Sequence, residues 1–233
     1  MDRVHPLLET IDIHSDRLKT AVLTAGPAAR VQNCPKWTVH DLVTHLARVL
    51  SSSVAAITDR AAEASAPADW TDLLGCWDGE RLALREALRR PAESPVRSPF
   101  PRGGATITAG ELARRIAHEM AIHRLDAESA LPEPPPTRYA AAFAADGVDE
   151  FLTFLMPRRS RPSSRDGTVR IEAEGRLWTI ALREGEPPAL VDEGRPDVTL
   201  SGPADDVYRA LWGRPNHAAT TGDATLLEPL AAP

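Results

Sequence analysis

The chain has 233 residues, 42% of them apolar and 26% charged, which puts it in the ordinary globular range and excludes disorder along its whole length. A net charge of -6 and a pI near 5.7 supply no basic field of the kind that nucleic-acid binding needs. No apolar run approaches the roughly 20 residues that cross a bilayer. The start Met1-Asp2-Arg3-Val4-His5-Pro6 lacks the charged, apolar and cleavage regions of a secretory signal, so the expected setting is the cytoplasm. Cys34 and Cys76 read there as free, small apolar residues, too isolated for a disulfide framework or a Cys-rich metal cluster.

The first two thirds read as helices. From about Leu7 to Leu23 the apolar residues recur at three-to-four spacing, and Ala25-Gly26-Pro27 ends the pattern. Thr38, followed three residues later by Asp41, makes an acidic capping box, so a helix is predicted from there to about Ala62, carrying Leu42, His45, Leu46, Val49 and Leu50 on adjacent turns. A third helix is predicted over about Trp70 to Arg90, stopped by Pro91. The Pro, Ser, Arg and Gly content of Pro91 to Gly104 reads as a loop. Thr108 and Glu111 form a second capping box, which opens a helix through Leu112, Ile116, Met120, Ile122 and Leu125. After the Pro-rich stretch 131–136 a last helix is predicted over about Thr137 to Leu155. Such segments joined by loops argue for a helical bundle.

Past Met156-Pro157 the period changes. The polar, basic stretch Arg158 to Arg165 reads as a linker. Thr168 to Ala173 alternates strictly, Gly175 marks a turn, and Leu177 to Leu182 follows as a partner strand. Val198 to Gly202 reads as a further strand, and Asp205 to Trp212 as a short helix closed by Gly213. The expected organisation is therefore α+β: a helical bundle over 1–157 and a small α+β domain over 166–233.

The chemistry-bearing pattern lies in His118-Glu119-Met120-Ala121-Ile122-His123. Its two histidines are five apart and point about 140° away from each other on a helix, whereas Glu119 and His123 are offset by only about 40°. A carboxylate and an imidazole one turn apart can share a divalent ion, and three protein ligands with an open position is the catalytic zinc pattern. A third ligand should come from a facing helix, where His45 lies on the stripe of Leu42, Leu46 and Val49. The same residues also read as a plain hydrogen-bonded Glu/His pair and a core histidine. Arg81, Arg85, Arg89 and Arg90 read as a solvated face, and Trp37, Trp70, Trp77, Trp178 and Trp212 as core or interface residues.

Three stretches carry a resemblance: Cys34-Pro35-Lys36-Trp37-Thr38-Val39-His40-Asp41-Leu42-Val43-Thr44-His45-Leu46, His118 to Glu128, and the C-terminal set Asp146 to Leu152, Asp197 to Pro203, Ala210 to Arg214 and Thr221-Gly222-Asp223. In this order they resemble the mycothiol-dependent maleylpyruvate isomerase family of the DinB-like superfamily, over almost the whole chain. The resemblance implies a DinB-like four-helix bundle followed by a small sterol-carrier-like α+β domain. It implies a divalent metal, usually zinc, on His45, Glu119 and His123, and mycothiol as cosubstrate of a cis-to-trans isomerisation. By similarity of position it makes Arg81 and Arg214 the residues for a carboxylate-bearing electrophile, since guanidinium binds carboxylates bidentately.

Asp126 and Glu128 follow the metal motif and suit either the orientation of a ligand histidine or helix-end surface charge. A metal-activated thiolate would serve equally a mycothiol S-transferase acting on a xenobiotic or a natural-product intermediate, with the loop Pro91 to Gly104 lining the entrance. A non-catalytic small-ligand module is the further alternative. The expected partners are a small electrophile and a low-molecular-weight thiol, without nucleic acid or membrane, in a monomer or small homo-oligomer.

Overall fold

The computed structural model describes residues 4–58, 60, 65–100, 106–159 and 161–230, and divides into two compact units, Met1–Pro136 and Thr137–Pro233. Four helices make the first unit: α1 (Val4–Ala25), α2 (Val39–Thr58), α3 (Trp70–Ala87) and α4 (Ala109–Glu128). Both predicted capping boxes form. The Asp41 carboxylate accepts from the Thr38 N–H at 2.8 Å while Thr38 Oγ1 accepts from the Asp41 N–H at 3.3 Å, and Thr108 and Glu111 exchange the same pair of bonds at the start of α4. Asp69, which the sequence reading passed over, caps α3 through the N–H groups of Thr71 and Asp72.

α1 packs on α4 and α2 on α3, with α2 also meeting α4. Ile11, Leu18, Leu42, Leu46, Leu73, Trp77, Leu112, Ile116 and Met120 are buried between them. α1 and α3 are bridged instead by long charged side chains: Lys19 to Asp78 at 2.5 Å, Arg81 to Asp16 at 2.6 Å, and Arg85 to Asp12. The expected extension of α2 to Ala62 lies outside the described residues. Within the segment expected as a loop, β1 (Pro95–Arg97) pairs antiparallel with β2 (Thr106–Thr108), while 101–104 lie outside the described residues. No described helix is long and apolar enough to cross a membrane.

The second unit begins earlier than the boundary at 157 expected from sequence. α5 (Ala141–Glu150) packs on α7 (Ala204–Leu211). Tyr139 and Phe143 meet the Tyr208 ring edge-on, at 5.8 and 6.4 Å between centroids. A widened π turn, Phe151–Leu155, joins α5 to α6 (Met156–Arg159), and Pro157, which has no N–H to donate, is the second residue of α6.

The stretch expected as a linker is tied down at Ser163. This residue is buried, its N–H donates to the Glu186 carbonyl at 2.8 Å, and its carbonyl accepts from the Gly185 N–H at 2.9 Å. The predicted hairpin, β3 (Gly167–Ala173) with β4 (Arg176–Leu182), is the middle of a five-stranded sheet. β6 (Val198–Gly202) pairs parallel to β3, and two strands not foreseen, β5 (Ala189–Val191) and β7 (Ala219–Gly222), form the edges. Val169, Ile171, Ile180, Leu182 and Val198 are buried, and α7 packs against β3 and β6. Gly222 is required as glycine: its φ is +97°, and a Cβ there would stand 2.1 Å from the Asp197 carbonyl oxygen.

Candidate metal centre

α4 is buried over nearly its whole C-terminal half, polar residues included, and this is where the functional side chains lie. Glu119 and His123, one turn apart, face α2, from which His45 meets them. His45 Nε2 is 3.0 Å and His123 Nε2 3.2 Å from the same oxygen, Glu119 Oε1. One ligand atom from each of the three residues falls within 4.8 Å of the others, the one such grouping among the described residues. The Glu119 and His123 side chains are 7% and 6% exposed, and His45 is the open side at 31%.

Around this trio the polar groups are built in layers. Arg115, one turn before Glu119 and 2% exposed, donates from Nη2 to Glu119 Oε2 at 2.7 Å, which leaves Oε1 to the histidines. Asp126 Oδ2 is 2.8 Å from His123 Nδ1 on the far edge of the ring and also accepts from Cys34 Sγ at 3.6 Å. Trp37 closes a third side, its ring 5.1 Å from that of His45 and stacked at 6.1 Å and 25° on that of His123.

The electrostatics follow from this packing. Burial pushes the Glu119 carboxyl up, but the charges of His123 and Arg115 and the hydrogen bonds from both histidines outweigh it and hold the group well below the usual carboxylate range. Burial pushes His123 down, yet the Glu119 charge and the bonds to Asp126 and Glu119 raise its pKa above the ordinary imidazole value. Two imidazole nitrogens and a carboxylate oxygen are the donor set of a two-His, one-Glu zinc site. Ligands about 2.0–2.1 Å from a tetrahedral ion stand about 3.3 Å apart, close to the 3.0 and 3.2 Å spacings here. The residues fit such an ion.

The two arginines singled out from sequence each have partners within their own unit. Arg81 pairs with Asp16 at 2.6 Å and Asp78 at 3.6 Å, and its guanidinium lies 5.4 Å from the centre of the Trp77 ring. Arg214 belongs to the second unit, where it donates to the Trp212 carbonyl. Asp126 orients His123, whereas Glu128 is bound by Arg124 at 2.6 Å. Arg115, Cys34 and Trp37 were not expected in the site; only the i, i+4 spacing of Arg115 and Glu119 marks one of them in the sequence.

The sequence matches the model of the mycothiol maleylpyruvate isomerase N-terminal domain over residues 8–128, and that of the same family's C-terminal domain over residues 142–229. Among solved structures, the chain is similar to a crystal structure of mycothiol-dependent maleylpyruvate isomerase, with 14% identity and a TM-score of 0.58. It is similar also to a histidine-to-alanine mutant of that enzyme, with 14% identity and a TM-score of 0.60. Each superposition covers 95% of this chain and 94% of the other, and at this identity the likeness is one of fold. No curated protein matches the sequence. With both domains matched in order and 8–128 alone spanning more than half of its length, the chain belongs to the mycothiol maleylpyruvate isomerase family.

Proposed function

We propose that this protein catalyses a thiol-dependent cis-to-trans isomerisation of the maleylpyruvate type, with mycothiol as cosubstrate and zinc as the divalent ion of His45, Glu119 and His123. The observation that carries the reading is the convergence of these three donors in the N-terminal domain of a chain of this family. The ion, when bound, supplies the positive charge that deprotonates a thiol at neutral pH.

The protein's own groups do the rest. Arg115 holds Glu119 as a carboxylate with Oε1 turned inward, and Asp126 holds the His123 ring with Nε2 facing Glu119. The part-exposed edge of His45 leaves the side from which a thiol and an alkene enter. Addition of a thiolate to the activated double bond leaves a single bond free to rotate and an enolate. Expulsion of the thiolate after rotation restores the double bond in the trans form and returns the cosubstrate. Arg81 is the proposed residue for a substrate carboxylate, exchanging its Asp16 pairing for it. The setting in this reading is the reducing cytoplasm, in keeping with Cys34 and Cys76 standing outside any disulfide.

The test joins elemental analysis to turnover, comparing wild type with the double variant His45→Ala, His123→Ala. About one zinc per wild-type chain, none in the variant, and mycothiol-dependent isomerisation of maleylpyruvate by wild type alone is the expected result. Metal with consumption of mycothiol but no trans product would make the chain an S-transferase. Absence of metal from both proteins after reconstitution would end the reading.

A further inference from the structure

The connection between α1 and α2 is short but heavily bonded. The N–H of Val31 donates to the Trp37 carbonyl at 3.1 Å, that of Cys34 to Val31 at 3.0 Å, and that of Trp37 to Cys34 at 2.8 Å, so residues 31–37 close on themselves. The loop is then fastened to the C-terminal turn of α4. The Asn33 N–H donates to Ser129 Oγ at 3.3 Å, its side-chain amide to the Leu125 carbonyl at 3.4 Å, and Ser129 Oγ in turn to the Asp126 carbonyl at 2.7 Å. Two side chains leave this fastened loop toward the metal centre. Cys34 reaches the Asp126 oxygen that also receives His123 Nδ1, and Trp37 covers the rings of His45 and His123 together.

This is the arrangement that orients imidazoles. A histidine is fixed as a ligand by what its second nitrogen bonds to and by what its ring packs against. For His123 both constraints end in the same loop: the ring stacks on Trp37, and the acceptor of its Nδ1 is bonded by Cys34. The His45 ring, on the more open side, packs on the same indole. We propose that Cys34 and Trp37 are positioning residues of this site. Trp37 sets the planes of both imidazoles, and Cys34, through Asp126, keeps His123 Nε2 turned to Glu119 Oε1. The inference rests on the metal-site reading above, and goes beyond it in making the α1–α2 loop part of the centre.

The test is cobalt(II) uptake and its visible spectrum in wild type, Trp37→Phe, Trp37→Ala, Cys34→Ser and Cys34→Ala, beside the imidazole N–H resonance of His123 in the metal-free proteins. The two alanine variants should keep their helical circular dichroism, bind cobalt about 10- to 100-fold more weakly, and show an altered spectrum. Trp37→Phe, which keeps a ring, and Cys34→Ser, which keeps a donor, should restore most of the affinity and the spectrum. The His123 resonance should move in Cys34→Ala and return in Cys34→Ser. Wild-type affinity, spectrum and resonance in both alanine variants would overturn the proposal. Should wild type itself take up no cobalt, the metal reading fails, and the resonance alone decides: unmoved in Cys34→Ala, it overturns the positioning role as well. If an alanine variant does not fold, its conservative partner decides: a folded Trp37→Phe or Cys34→Ser protein whose spectrum and resonance stay unlike wild type counts against the proposal, and one that matches wild type supports it.

Discussion

Arg115 Nη2 stands 2.7 Å from Glu119 Oε2, and through that contact a buried guanidinium decides which carboxylate oxygen the two histidines share. Arg115→Met removes the charge at nearly constant volume and leaves Glu119 in the interior without it. Breaking a buried pair by deleting one partner costs about 3 kcal/mol. We expect that loss in urea unfolding, together with weaker metal uptake; a variant as stable as wild type would show that the pair contributes nothing.

The three proposed ligands should respond differently to truncation. The His45 side chain is 31% exposed, so His45→Ala should abolish metal content while changing stability by about 1 kcal/mol or less. Glu119→Ala should abolish metal content and also destabilise by about 3 kcal/mol, because it removes the carboxylate that the buried Arg115 guanidinium, 2% exposed, is paired with. Metal analysis of the two variants, and chemical denaturation of wild type and variants all in metal-free form, distinguish the cases, and equal stability losses would contradict the layered picture.

Acid should weaken the bundle through His14. Burial first, then the charges of Arg124, Arg17 and His118, push its pKa from 6.5 down to about 4. The unfolded chain therefore binds a proton that the folded chain refuses between these values. The contribution is complete above pH 6.5 and is lost as pH falls toward 4, a difference of about 3 kcal/mol in all. His14→Leu should flatten the stability profile over that window; an unchanged slope between pH 6.5 and 4 would assign the acid sensitivity to other groups.

Two glycines of the C-terminal unit give a contrast in the same assay. Gly222→Ala meets both a φ of +97° and the Asp197 carbonyl, and should cost more than about 2 kcal/mol. Gly175→Ala meets a φ of +72° but no atom within 4 Å, and should cost about 1 kcal/mol. Thermal melts that rank the two in the opposite order would contradict the close approach of β7 to Asp197.

The parts of the fold that were legible in the sequence are those whose signals are local. Thr38 with Asp41 and Thr108 with Glu111 announce helix starts within four residues, and the alternation from Thr168 to Ala173 announces a strand. β5 and β7, of three and four residues, are too short for alternation to show, and β1 hides in a Pro- and Arg-containing stretch. The unit boundary was missed because α5 finds its partner, α7, more than fifty residues later, and Ser163 finds its own in a turn twenty residues on. In the site, Glu119 and His123 follow from helical spacing and His45 from the face it occupies. Trp37 and Cys34 are ordinary core types by residue identity, and only the closure of their loop onto α4 gives them the histidines as neighbours.

The ion-pair seam between α1 and α3 makes ionic strength a handle on this bundle. Attraction between partly exposed charges fades over a distance that shrinks to about 3 Å at 1 M salt, whereas apolar burial is untouched or reinforced. Lys19, Arg81 and Arg85 sit on a flank where charge does the fastening, so concentrated sodium chloride should slacken that flank while the apolar α1–α4 and α2–α3 contacts hold. The same flank carries Arg81, so a substrate carboxylate that drew this guanidinium away from Asp16, as proposed above, would also undo one rung of the seam.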